Sequence, residues 1–382
     1  MDRLEQRMRD VFLDDRLDLL PAVDAVAAVH RGVRRRRRRA RITAAAAGVA
    51  AAAATAAIVI AVPAVFHRHG SGAHVTAPPV SRSWSVSAPI ALPADVTTVR
   101  AVAASGRWVW VAGGGQLVRV DPATGATTSY GVDAPPVAVA ATPRHVWVVT
   151  AGSAGCALDE RDAAAGTGIE THPVPCAPDA PVAATANGEH AWLVTGDGAT
   201  TVVRRFTAGA AAVTRSVTLH GAPAGAQPLV IAGPDVFVLT QPGNSGGSPL
   251  LSRLSGPNLV DVGSLAVSVN VGRLAYSTHR VLMAGADGVF AADTTLGTVA
   301  KVAPDETGGL STGHGVIWLL ADTSPTASRL LALDAASGAP LGAVVLGGDV
   351  SAVVADDQVV WATVQPEGGR PALVAIRPAT PG

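Results

Sequence analysis

Cys156 and Cys176 are the two cysteines of the chain, and they flank the stretch ALDERDAAAGTGIETHPVP. A thiol pair of this kind forms a disulfide or holds a metal. Both positions are equidistant from Gly166, at the centre of the intervening hairpin, so the two thiols face each other across antiparallel strands. In an oxidising compartment the expectation is a structural disulfide. His67, His69 and His74 lie in HRHGSGAH. They are metal-ligand types, but they sit in a Gly/Ser-rich stalk without a fourth ligand, so no metal site is expected. Four carboxylates recur with one spacing: Asp121/Gly125, Asp162/Gly166, Asp293/Gly297 and Asp334/Gly338. The pattern Asp-x-x-x-Gly is turn chemistry, with the Asp capping its own backbone and the Gly accepting the left-handed conformation. CxxC, HExxH, phosphate-loop and EF-hand motifs are absent, and no catalytic residue or cofactor is assigned. What remains are titratable groups in long Gly/Ser/Pro-rich loops: Asp197 in GDG, Asp322 in ADTSPTAS, and Glu367 and Arg370 in TVQPEGGR. These four are the candidate contacts for a ligand, because loops on a rigid scaffold carry function. A third long loop, TQPGNSGGSP, has no titratable group.

The scaffold is written as a repeat. RWVWVAG, HVWVVT, HAWLVT, DVFVLT, RVLMAG, VIWLLA and VVWATV share one apolar core, anchored at Trp110, Trp147, Trp192, Phe237, Leu282, Trp318 and Trp361. Units of about 40 residues with period-two alternation and Gly-rich turns predict a propeller of seven four-stranded blades and exclude helical solenoids. In each unit a short, small-residue strand such as TTVRAVAAS precedes the aromatic strand and lines the channel. A strand of the LVRVD type and the PATG turn follow. His145, His190 and His314, like Arg107, Asp235, Arg280 and Gln358 in the other units, occupy a polar position at a repeated turn, which reads as structural. The last unit lacks its fourth strand, whereas RSWSVSAPIAL, residues 82–92, has no unit of its own. Paired with ALVAIRP, residues 372–378, that segment closes the ring and removes an exposed edge.

The repeated signature V-W-V … L-x-R-V-D-P-x-T-G resembles that of the YVTN-type and virginiamycin B lyase-like bacterial propellers over residues 82–382. The lyase resemblance implies a metal-assisted elimination using His and Glu on the channel face. No His or Glu here stands in that family's motif, and no catalytic residue is carried over. ALDAASGAPLG also resembles the quinoprotein docking repeat, but its closing Trp is missing, as it is in RVDPATGATTSY, and no quinone is expected.

The N-terminal part is of another kind. Residues 42–66 hold 25 uncharged residues, enough for one transmembrane helix. Arg31, Arg34 to Arg39 and Arg41 flank them on one side only, which places residues 1–41 in the cytoplasm and everything after Phe66 outside. Next to an apolar span, the arginine run reads as a topology signal and not as a nucleic-acid site. A signal peptide cleaved near AVPA is the alternative. Leu4, Met8, Val11 and Phe12 recur at helical spacing, so residues 2–19 form a short amphipathic helix, and residues 2–30 offer a docking element for a cytoplasmic partner. Residues 67–81 are a stalk and 82–382 the propeller. The single lysine, Lys301, and the Ala, Gly, Arg and Pro usage point to a high-GC bacterial genome. The expected fold class is therefore all-β, a seven-bladed propeller behind one membrane helix and a short cytoplasmic helical segment. The expected role is an extracytoplasmic ligand- or protein-binding module of the cell membrane. A propeller enzyme, lyase or hydrolase, is the alternative.

Overall fold

In the second strand of every blade the side chains on both faces are covered, because each sheet stacks between two others. In Trp108–Gly113 the five residues after the first are buried, and in His190–Gly196 the six after the first. This stacking is the organising fact of a computed structural model of the chain. It describes residues 82–379 apart from 154, 177–180, 211, 243–246, 268, 304–307, 325 and 357–358. The chain divides into two units, Met1–Thr76 and Ala77–Gly382, and the described residues belong to the second. The expected cytoplasmic helix, membrane helix and stalk lie outside the described residues. Among the described residues no helix is long and apolar enough to cross a membrane.

Seven antiparallel sheets follow one another along the chain: blade 1 (99–131), blade 2 (136–174), blade 3 (183–220), blade 4 (222–266), blade 5 (273–303), blade 6 (309–346) and blade 7 (349–378). Each runs from an inner, channel-lining strand to an outer one. Blade 7 takes its outer strand from the start of the described chain. Trp84 pairs with Pro378, Ser85 with Arg377 and Val86 with Ile376, and further on Ile90 pairs with Leu373 and Ala91 with Ala372. Ser87 bridges the gap, its N–H donating to the Ala375 carbonyl at 2.8 Å and its hydroxyl accepting from the Ala375 N–H at 2.9 Å. Closure by residues 82–92 onto Ala372–Pro378 is thus realised, and it covers the edge that the last blade would otherwise expose. The Trp84 ring also meets Trp318 of blade 6 edge-on at 4.6 Å, so the closing strand fastens two blades.

The core is seven layers, one between each pair of successive blades. The large residue of each second strand packs toward the following blade: Trp110 toward blade 2, Trp147 toward blade 3, Trp318 toward blade 7 and Trp361 toward blade 1. One bulky residue per seam explains why the repeat spends its aromatics there, since a buried ring fills more of the inter-sheet volume than any other side chain.

At the end of the ring bearing the turns between third and fourth strands, polar groups fasten blade to blade. Asp121, Asp162, Asp293 and Asp334 each accept main-chain N–H bonds from their own turns, for example Ala123 to Asp121 at 2.9 Å and Ser337 to Asp334 at 2.8 Å. The turn-capping expectation holds for all four. The left-handed residue is glycine in three, Gly125, Gly166 and Gly338. In the fourth it is Leu296 at φ +61°, not Gly297, and its side chain packs into the blade 4–blade 5 layer. Gly166 is required twice over: φ is +71°, and a Cβ would lie 2.1 Å from the Tyr130 ring of blade 1.

These turns receive the preceding blade. Arg119 of blade 1 donates to the Ala164 carbonyl of the blade 2 turn, and Arg205 of blade 3 donates to the Pro257 carbonyl of blade 4 at 2.6 Å. Both arginines pair across the sheet with the aromatic, Arg119 with Trp110 and Arg205 with Trp192. In blade 2 the equivalent residue, paired with Trp147, is Glu160. The fastening survives with reversed polarity: Glu160 accepts from the Gly209 N–H of the blade 3 turn at 3.0 Å. His145 lies between Glu160 (3.0 Å) and Glu189 of blade 3 (2.9 Å). The polar turn position occupied by His145 is therefore structural, as expected. His190 is placed likewise, with Arg205 at 2.7 Å and Thr207 at 3.2 Å.

Candidate functional site

The inner strands enclose a cavity of about 450 Å³ lined by all seven blades. Most of its wall is Ala, Val, Gly and Leu, as crowding near the axis demands. Among the described residues, Arg100 of blade 1 and Arg273 of blade 5 are the charged residues of that wall, and no carboxylate lines it. Each lies at the end of the channel where the turns between second and third strands gather: Val99 pairs with Gly113 and Arg273 with Ala284, both beside such a turn. Arg100 stands three positions before Ala103, the partner of Trp110, and Arg273 two before Ala275, the partner of Leu282. The two guanidiniums thus arise at nearly one level, from blades on opposite sides of the ring.

Arg273 is the more constrained. Its backbone is tied to blade 4 by two main-chain bonds, the Gln227 N–H to the Gly272 carbonyl at 3.2 Å and the Leu274 N–H to the Gln227 carbonyl at 2.8 Å. The approach is close enough that a Cβ on Gly225 would lie 2.3 Å from Gly272 Cα. The Arg273 side chain is half-buried and makes no hydrogen bond or ion pair among the described residues. Burial pulls its pKa below the usual arginine value, an indication of how little water and counter-charge surround it. The channel hydroxyls, by contrast, are engaged. Ser311 Oγ accepts from the Ala355 N–H at 2.8 Å, Thr312 donates to the Tyr276 carbonyl at 2.7 Å, and Ser351 shares a bond with Thr363 at 2.8 Å.

The four rim residues anticipated from sequence fall at this same end but are not brought together. Asp197 is exposed and caps its own turn, accepting from the N–H groups of Ala199 (3.0 Å) and Thr200 (2.7 Å); those bonds, Thr200 first, hold its carboxyl below the usual range. Asp322 lies near the end of the strand Val316–Thr323, its backbone paired with Arg329. Glu367 and Arg370 are exposed on the turn of blade 7. Asp197, Glu367 and Arg370 do not line the cavity. Cys156 and Cys176 form a disulfide, with Cα atoms 5.7 Å apart. They are not directly opposite: Cys156 pairs with Val174, because the hairpin turns about Ala164 and Ala165, with Gly168 paired to Arg161, and not about Gly166. The bond ties a turn of blade 2 to the segment leading into blade 3. His67, His69 and His74 lie outside the described residues, and among the described residues no group of three or more His, Cys, Asp or Glu is placed to hold a metal.

Sequence reading missed Arg100 and Arg273. The signal was present in TTVRAVAAS: a guanidinium inside a strand type otherwise built of small residues.

No protein-family model and no curated protein matches the sequence. The fold is similar to that of a solved structure, hydrazine synthase of Kuenenia stuttgartiensis, with a TM-score of 0.57 and 14% identity over 74% of this chain and 96% of that one. At that identity the likeness is one of fold.

Proposed function

We propose that this chain is a membrane-anchored, extracytoplasmic propeller that binds a ligand or a protein at the end of the channel bearing the turns between second and third strands. The observation that carries the binding role is the cavity of about 450 Å³ enclosed by the inner strands of all seven blades. Such sites are concave, pre-formed and few per protein. The Cys156–Cys176 disulfide supports an oxidising compartment. The one-sided arginine cluster before residues 42–66 supports an anchor with the propeller outside. The likeness to hydrazine synthase is a likeness of fold and brings none of that enzyme's chemistry to this chain.

The test has two arms on intact cells. Protease added outside should remove residues 82–382 and leave the region near Met1 protected; protection of the propeller overturns the orientation. A photo-crosslinker placed at Glu367 or Arg370 should capture a partner or ligand that the same group at Ala123, at the opposite end of the ring, does not. Equal capture from both ends removes the binding assignment.

A further inference from the structure

The wall of the channel cavity carries two positive charges and, among the described residues, no negative one, whereas several arginines elsewhere in the propeller are closely paired. Arg107 meets Asp121 at 2.7 Å, Arg253 meets Asp235 at 2.6 Å, and Arg205 reaches a carbonyl at 2.6 Å. Arg273 has none of these, yet two main-chain bonds to blade 4 fix the position from which its side chain projects. A half-buried guanidinium without a partner is unfavourable, and its fork of donors suits a planar or tetrahedral oxyanion. Thr312 and Ser351 already have partners, and Ser311 Oγ accepts from Ala355; the cationic donors of this wall are those of Arg273 and Arg100, with the exposed Gln227 amide beside them. Pockets for small molecules typically measure about 300–1,000 Å³; the volume here admits a solute of metabolite size.

We infer that the channel mouth is an oxyanion site in which Arg273, assisted by Arg100 from the facing wall, takes the carboxylate or phosphate head of a small solute. The inference rests on the binding role proposed above and names the class of ligand. Arg273 is the anchor, because it is the more buried and the better fixed. Arg100, exposed and facing it, closes on the same head group once an anion has neutralised the mutual repulsion of the two cations.

The experiment uses the full-length chain in detergent, titrated calorimetrically with citrate and, separately, with glycerol phosphate, at constant ionic strength set by sodium chloride. Saturable binding of at least one is expected. Citrate alone assigns a carboxylate head, glycerol phosphate alone a phosphate head. Arg273→Gln should weaken that binding at least tenfold, Arg100→Gln less, and Arg215→Gln on the outer strand of blade 3 not at all. Arg273→Lys keeps the charge but not the fork and should fall between wild type and Arg273→Gln; it also answers the question should the glutamine variant not fold. No saturable binding of either anion, affinity unchanged in both Arg273 variants, or an equal loss in Arg215→Gln overturns the assignment. Crosslinks captured from Glu367 without anion binding would leave the binding module standing and remove the oxyanion site. Anion binding without such crosslinks would do the reverse for a macromolecular partner.

Discussion

The two ends of the ring use polar residues in opposite ways. At the end of the turns between third and fourth strands, aspartates cap their own backbone, and Arg119, Arg205 and Glu160 reach into the next blade. At the other end the turns are rich in Gly, Ser and Pro, the rim residues stand apart, and Arg273 faces the channel without a described partner. Groups consumed by the ring repeat from blade to blade; groups available for recognition do not. Asp197 is the exception that shows the rule is chemical, since it stands at the open end and still spends its carboxylate on its own turn. The seams teach the same lesson. Between blades 7 and 1, Ala375 stands opposite Trp361 where blades 1 and 3 have arginine, and a groove of about 720 Å³ opens there, lined by Trp361, Arg377 and the Arg107–Asp121 pair.

If the ring is what the repeated polar contacts of one end maintain, breaking the ring should have the largest effect. Deleting residues 82–92 exposes the edge of Ala372–Pro378 and should abolish the single cooperative melting transition and promote aggregation, whereas deleting 70–80 should leave the melting temperature unchanged. Equal melting of the two deletions would refute closure as the source of stability. Next in size, Trp147→Ala empties the blade 2–blade 3 layer around a fully buried ring and should cost about 3–5 kcal/mol in denaturant unfolding. A loss under about 1 kcal/mol would show that the layers collapse independently of their aromatics.

The Cys156–Cys176 bond closes a loop of sequence separation 20. Its removal by a double Ser substitution should cost about 3 kcal/mol on the chain-entropy account, and non-reducing peptide mapping should find the two cysteines linked. Free thiols in exported protein would contradict the structure.

Acid sensitivity should belong to the capped turns. Hydrogen bonds from Arg107 to Asp121, from Thr295 to Asp293 and from Ser337 to Asp334 hold these carboxyls below their ordinary value of 3.8. A depressed folded-state pKa contributes stability that is fully present above the unfolded value and is lost as pH falls through the folded one. Melting temperature should therefore drop below about pH 4, and less steeply in Asp293→Asn/Asp334→Asn. An unchanged slope in that variant would assign the acid loss elsewhere. The smallest effects should come from the open end: Glu367→Ala and Arg370→Ala should each change stability by less than about 0.5 kcal/mol. A larger loss by thermal unfolding would mean that the open end also holds the ring together.

The sequence by itself determined the count of seven units, the aromatic strand of each, the capped Asp turns and the closing segment. All of these are written in local terms, as period-two alternation, turn residues at fixed offsets, and a strand left over before the first unit where the last unit lacks one. Tertiary structure decided three other things. It set the disulfide two residues off direct opposition, because the hairpin turns about Ala164 and Ala165, a centre that symmetric spacing about Gly166 does not encode. It gave the left-handed position in one turn to Leu296, whose apolar side chain finds a layer to fill. It also brought Arg100 and Arg273 to one cavity. Two residues in blades that never touch meet only because seven twisted sheets, stacked face to face, curve the chain into a ring and turn every inner strand toward the same axis.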